Sequence, residues 1–214
     1  MLNFSLFGIP ISIQPWFWLT MALIGGGFSA NSSLGLILVA VFVVAGFISI
    51  LVHELGHALL IRKYGLPTSI TLVAFGGYAT YPPGVLSRKQ SFLVSAAGPA
   101  LQFAMGIALI FLARFLTIPA ESLLNALIFD LTAISIIWAI FNCLPIYPMD
   151  GGQMLAAILG PKRKNFVYLT STLCAIGIGV ATYYYFNSII APIFMALFAW
   201  KNWQDFQNSL QTKK

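Results

Sequence analysis

Charge is scarce in this chain of 214 residues: only 7% of it is Asp, Glu, Lys or Arg, where ordinary soluble domains carry roughly a quarter. Acidic residues number five and histidines two, so any site built from ionisable groups has few candidates to draw on. Cysteine is equally sparse. Cys143 and Cys174 both lie in apolar surroundings, which excludes a disulfide framework and a cysteine-based metal site. The N-terminus lacks a basic stretch and a small-residue cleavage site, so a removable signal peptide is not expected. Hydrocarbon takes the place of charge. Hydrophobic residues make up 59% of the chain and mean hydropathy is +0.90, the composition of a polytopic membrane protein. The lipid bilayer is therefore an expected partner. The net charge of +6 comes from short basic clusters flanking apolar runs, which fits membrane orientation, and nucleic acid is not expected as a partner.

Apolar runs at residues 34 to 61, 91 to 116, 123 to 141 and 166 to 186 each approach or exceed the roughly 20 residues a helix needs to cross a bilayer. Two further segments, residues 15 to 28 and 189 to 200, are short enough to be tilted spans, half-spans or interfacial helices. The expected fold class is an all-α membrane protein of about six transmembrane helices, forming a single membrane-embedded domain over residues 1 to 214. Lys and Arg placement tests that count. With a cytosolic N-terminus and six crossings, the inside set is Arg62, Lys63, Arg88, Lys89, Lys162, Arg163, Lys164, Lys201, Lys213 and Lys214, and only Arg114 falls outside. Such asymmetry is what the positive-inside rule requires, and it puts both termini in the cytosol. Aromatic clusters at residues 16 to 18, 183 to 186 and 200 to 203 fit interfacial belts or simple packing.

Between the second and third apolar segments, residues 66 to 83 change character. Ile70, Thr71, Val73 and Tyr78 surround Phe75-Gly76-Gly77-Tyr78, a pattern that predicts a short β-hairpin or extended loop. Non-helical backbone near a membrane must be buried in protein, line a watery cavity or pair with another strand. An edge strand there can bind an unwound peptide by strand addition; a plain cytosolic connector is the competing reading.

The chain's two histidines sit together in His53-Glu54-Leu55-Gly56-His57, inside the run at residues 34 to 61. On a helix, H-E-x-x-H sets two imidazoles one turn apart on one face, suited to zinc, with the glutamate beside them as a base. A histidine pair merely hydrogen-bonded within a bundle is the alternative. It must explain a carboxylate in a span, which costs a few kcal/mol and usually marks function. Arg62 follows His53 by nine residues, so the histidine lies about 13 Å below the cytosolic end of the helix.

A catalytic zinc takes three protein ligands and leaves a position open. Elimination supplies the third. Glu121 falls on the outer side, Asp205 in the C-terminal tail, and Asp130 about a dozen ångströms from the outer end of its span. Asp150 follows the span ending near residue 141, at the cytosolic side, in the segment Asn142-Cys143-Leu144-Pro145-Ile146-Tyr147-Pro148-Met149-Asp150-Gly151-Gly152. Pro145 and Pro148 break the helix, Gly151 and Gly152 permit close backbone approach, and Asp150 can thus turn back towards the histidines.

These residues resemble the site-2 proteases, intramembrane zinc metalloproteases of the M50 type. The resemblance rests on His53-Glu54-Leu55-Gly56-His57 and on residues 142 to 152, which match N-x-x-P-x-x-P-x-D-G, with weaker matches at Phe75-Gly76-Gly77-Tyr78 and Ala97-Gly98-Pro99. It covers about residues 34 to 155, a three-helix catalytic core. Family members often carry asparagine three residues after the Gly-Pro proline, where this chain has Gln102, an amide that still donates and accepts hydrogen bonds. The chain looks like a compact member, without PDZ or CBS domains.

The resemblance implies one Zn²⁺ per chain, held by His53, His57 and Asp150, with Glu54 catalytic and Asn142 orienting substrate or stabilising the oxyanion. Phe75, Gly76, Gly77 and Tyr78 are the expected substrate-binding residues, and a transmembrane protein is the expected substrate. Two readings compete. One is a membrane zinc protease of another H-E-x-x-H family whose third ligand is a downstream glutamate, for which Glu121 alone is available; the other is a metal-binding transporter or non-proteolytic binding protein, which has no need of Glu54 as base.

Overall fold

The computed structural model describes residues 1–187 and 189–211, so Lys213 and Lys214 of the inside set lie outside the described residues. In chain order come β1 (Leu2–Leu6), β2 (Ile9–Ile13), α1 (Pro15–Ile24), α2 (Ser33–Lys63), β3 (Ser69–Val73), β4 (Gly76–Thr80) and α3 (Arg88–Phe115). Helices α4 (Leu123–Asn142), α5 (Asp150–Leu159), α6 (Lys164–Phe186) and α7 (Ile190–Gln211) follow. The chain forms two compact units, Met1–Pro83 with Ala97–Ile140, and Gly84–Ala96 with Phe141–Lys214.

Among the described residues, four helices are long and apolar enough to cross a membrane: α2, α3, α4 and α6. They coincide with the four long apolar runs of the sequence. Exposed residues on them, such as Phe111, Phe129, Ile137, Leu173 and Val180, form outward faces that suit lipid and not water. The two remaining segments of the expected six differ from these. With ten residues α1 rises about 15 Å, half the roughly 30 Å hydrocarbon thickness. Helix α7 is 22 residues long, but Lys201, Asn202, Gln204 and Asp205 make its second half polar.

The all-α expectation is too narrow for the first unit, which holds a four-stranded sheet in the order β1-β2-β3-β4. Strands β3 and β4 are the hairpin signalled around Gly76-Gly77, while β1 and β2 come from residues that carry no turn or hairpin signal pointing to β3. Strand β2 pairs with β3 in parallel, Ile11 opposite Ile70 and Ile13 opposite Leu72. Alternation explains the pairing. Ile9, Ile11 and Ile13 on β2 and Ile70 and Leu72 on β3 are buried on one face, packed on Phe17 and Met21 of α1 and Ile50, Leu51, Leu55 and Ala58 of α2. Arg62, in the last turn of α2, donates to the Phe7 carbonyl at the β1–β2 turn, tying that end of α2 to the sheet.

The second unit anchors a non-helical segment. Ile146 and Met149 plug into a core with Ala175 of α6 and Met195 and Ala199 of α7. Between them the Tyr147 peptide is held on both sides. Its N–H donates to Ser171 Oγ at 2.9 Å, and its carbonyl accepts from Asn202 Nδ2 at 2.6 Å. Ser171 Oγ also donates to the Pro145 carbonyl at 3.2 Å, so the backbone groups exposed by the prolines are taken up by two side chains of the α6–α7 pair. Replacing Asn202 by Leu strands the part-buried Tyr147 carbonyl, and we expect a loss of about 1 kcal/mol of stability. Thermal unfolding in detergent measures it; an unchanged midpoint would show that the bond contributes nothing.

Candidate metal centre

Helix α2 carries Ser49, His53 and His57 at four-residue intervals, which places all three on one face, and all three are buried. His53 Nε2 and His57 Nε2 stand 3.1 Å apart. Two imidazole nitrogens on one tetrahedral zinc, each at about 2.0–2.1 Å, would be separated by about 3.3 Å, so this pair is at ligand spacing. His53 Nδ1 meets Gln102 Oε1 of α3 at 2.9 Å. The imidazole ring of His57 lies against Gly98 of the same helix, where an added Cβ would come within 2.8 Å of its Cδ2. The Gly98-Pro99 step is therefore the place where α3 makes room for the His57 ring.

Glu54 is also buried. A Cβ at Gly77 of β4 would meet Glu54 Cγ at 2.8 Å and Oε1 at 2.9 Å, which sets the carboxylate directly over the glycine strand. Strand β4 is one edge of the sheet and, among the described residues, pairs with β3 alone, Gly77 opposite Leu72 and Tyr78 opposite Thr71. Phe75 and Tyr78 are exposed, whereas Gly76 is buried near Trp138 of α4. One compact unit thus holds the histidine pair, the adjacent carboxylate and an open strand edge.

Asp150 belongs to the second unit, where it is the first residue of α5 and buried. The turn that presents it is as tight as the glycines suggest: an added Cβ at Gly151 would strike the Cys143 and Leu144 carbonyls, and one at Gly152 the Tyr147 backbone. Asn142 is the last residue of α4. His53, His57 and Asp150 are buried residues that can hold a metal ion, each offering one ligand atom. Two imidazoles and a carboxylate are a donor set that zinc accepts while leaving a coordination position open.

Two of the other acids lie elsewhere. Asp130 lines a cavity of about 460 Å³ with Gly35, Leu38, Val39 and Phe42 of α2. Phe42, the nearest of these to His53 along the helix, is eleven residues away, about 16 Å by helical rise. Asp205 pairs with Lys201 on α7 at 3.1 Å. Residues that sequence reasoning passed over are Ser49 and Ser135, both fully buried and bonded to each other at 2.9 Å, with Gln102 Nε2 donating to Ser49 Oγ at 2.9 Å. A signal for Ser49 was present: it is a polar residue one helical turn before His53 in an otherwise apolar run.

Comparison with known proteins gives a concordant picture. Residues 117–186 match the model of peptidase family M50. A zinc metalloprotease of Methanocaldococcus jannaschii is 34% identical over 177 residues, covering 82% of this chain and 49% of the relative. Stage IV sporulation protein FB of Bacillus subtilis is 29% identical over 172 residues, covering 78% and 54%. The chain thus spans about half the length of these curated relatives. The solved structure of the site-2 protease from Methanocaldococcus jannaschii superposes with a TM-score of 0.67 at 27% identity, covering 96% of this chain and 94% of that one.

The Gly98 contact makes a prediction. Gly98→Ala pushes a methyl group into the His57 ring, and we expect it to lower zinc affinity by about 10-fold or more, the scale of a disturbed ligand orientation. Metal content after dialysis against a zinc buffer measures this; a full complement of zinc would show that α3 yields at no cost to the site.

Proposed function

We propose that the chain belongs to the site-2 protease family and is an intramembrane zinc metalloprotease hydrolysing a peptide bond in or near a transmembrane segment of a membrane-protein substrate. The observation that carries this reading is the arrangement within the first unit: two Nε2 atoms 3.1 Å apart, with the Glu54 carboxylate lying over Gly77 of the open edge strand. Metal ligands, base and a peptide-binding edge are what hydrolysis of an extended peptide requires, and a binding protein or transporter has no use for the three together.

His53, His57 and Asp150 hold one zinc ion in this reading. When bound, zinc supplies a Lewis acid that brings the pKa of water towards neutrality and polarises a carbonyl. Glu54 accepts the proton of the attacking water at its carboxylate and returns it to the leaving amine. The Asn142 amide donates to the substrate carbonyl oxygen as negative charge develops there. A substrate helix hides its carbonyls in internal hydrogen bonds, so the cleaved stretch must unwind. Phe75, Gly76, Gly77 and Tyr78 receive it: the free edge of β4 pairs with its backbone, and the bare Gly77 lets it approach Glu54.

Six crossings with cytosolic termini complete the proposal, and the first unit supports them. Parallel pairing of β2 with β3 brings residues 9–13 to the end of α2 that leads into β3. The chain between them must then cross an even number of times, α2 being one crossing and residues 14–32, with α1 and the Gly25-Gly26-Gly27 stretch, the other. Arg62 and Lys63 mark that shared end as cytosolic and set the histidines nearer that face.

Glu54→Gln should retain zinc and lose about 10²–10⁴-fold in cleavage of a reconstituted transmembrane substrate; undiminished cleavage would remove Glu54 as base. Asp150→Ala should purify with little zinc while Asp130→Ala keeps it. Equal zinc in wild type and the Asp150 variant would overturn the ligand choice.

A further inference from the structure

We propose that Gln102 is a positioning residue that dictates which ring nitrogen of His53 carries the proton, through a directional hydrogen-bond relay running from the histidine across three helices to the Leu131 carbonyl. The direction is set at the far end. A backbone carbonyl only accepts, so Ser135 Oγ donates to Leu131 O, at 2.5 Å. With that hydroxyl proton committed, Ser135 Oγ is left to accept from Ser49 Oγ at 2.9 Å. Ser49 in turn offers two acceptors to the Gln102 amide, its Oγ at 2.9 Å and its carbonyl at 3.3 Å.

The Ser49 carbonyl decides the amide's orientation. Turning Gln102 over would set its oxygen against that carbonyl, two acceptors face to face, in a place where Ser49, Gln102 and Ser135 are each 0% exposed. Water cannot relieve such a pairing. The amide nitrogen therefore faces Ser49 and the amide oxygen faces His53 Nδ1 at 2.9 Å. An amide oxygen has no proton to give, so Nδ1 bears the hydrogen and Nε2 keeps its lone pair. That lone pair is on the atom 3.1 Å from His57 Nε2.

Zinc binds an imidazole through a lone pair, and a partner accepting from the opposite nitrogen both fixes the ring and raises its basicity. Helices α2, α3 and α4 each give one residue to the relay, Ser49, Gln102 and Ser135. The competing explanation is that this polar seam merely joins the three helices. Such a seam would be indifferent to the histidine tautomer.

The chain's two histidines make the distinction measurable, because ¹⁵N-histidine labelling yields only four ring nitrogens. In zinc-free wild type in detergent, His53, assigned with His53→Ala, should be protonated at Nδ1. Gln102→Leu should release it to a mixture of tautomers and weaken zinc binding about 10- to 100-fold in competition with a chelator. Gln102→Glu, held as the neutral acid with its hydroxyl donating to Ser49 and its carbonyl oxygen still accepting from Nδ1, should keep the Nδ1–H form and bind zinc about as tightly as wild type. An unchanged tautomer in Gln102→Leu, or an Nε2–H form in Gln102→Glu, overturns the relay; the second result decides the matter even if the leucine variant does not fold. The zinc part rests on His53 being a ligand. Should His53→Ala bind zinc as wild type does, the ligand assignment fails, while the tautomer measurement still judges the relay by itself.

Discussion

A polar group inside a hydrocarbon layer has no water to bond with, and a buried one left without a partner costs roughly 1–3 kcal/mol or more. This constraint governs the architecture around the histidines. Helix α2 presents Ser49, His53 and His57 along one face, and the helices packed against that face answer it with Gln102 and Ser135. A satisfied polar seam of this kind is rigid, since each group is held by the one beyond it. Rigidity is useful where two imidazoles must stay at ligand spacing. The buried polar residues that would be a liability in an ordinary span become the frame of the site.

Backbone exposed by breaking a helix obeys the same constraint. The segment between Pro145 and Asp150 cannot bond to itself as a helix would, and Ser171 and Asn202 take up the peptide groups on either side of Tyr147. Ile146 and Met149 secure it by burial in the α6–α7 core. The last two helices therefore fix the turn that carries Asp150. In the first unit the sheet does comparable work: its apolar face packs on α1 and α2 and leaves β4 as an edge over Glu54. A strand edge is ordinarily a hazard; in the proposed function it is where an unwound substrate pairs beside Glu54.

Much of this was legible locally. The four long apolar runs are helices within a few residues of where hydropathy ends them, because a bilayer-crossing run must be helical to satisfy its own backbone. The hairpin around Gly76-Gly77 announced itself by composition. The β1–β2 half of the sheet did not, since Ile11 and Ile13 gain their meaning from Ile70 and Leu72, nearly sixty residues later in the chain. Alternation at residues 9 to 13 was present, but only a partner strand turns alternation into a sheet. Gln102 was recognised as an amide able to donate and accept, but its partners, Ser49 and His53 on α2, could not be read from its neighbours in sequence.

By itself the sequence determined the membrane class, the histidine-bearing turn His53-Glu54-Leu55-Gly56-His57 and the broken helix before Asp150. These follow from hydropathy, helical period and the geometry of proline and glycine, which act over a few residues. Tertiary structure decided the rest: which strand lies open above Glu54, which helix leaves room for His57 at Gly98, and which way the Gln102 amide points. Those outcomes depend on groups distant in sequence meeting at contact range. Hydrogen bonds and steric exclusion operate only over a few ångströms, so they come into being with the fold.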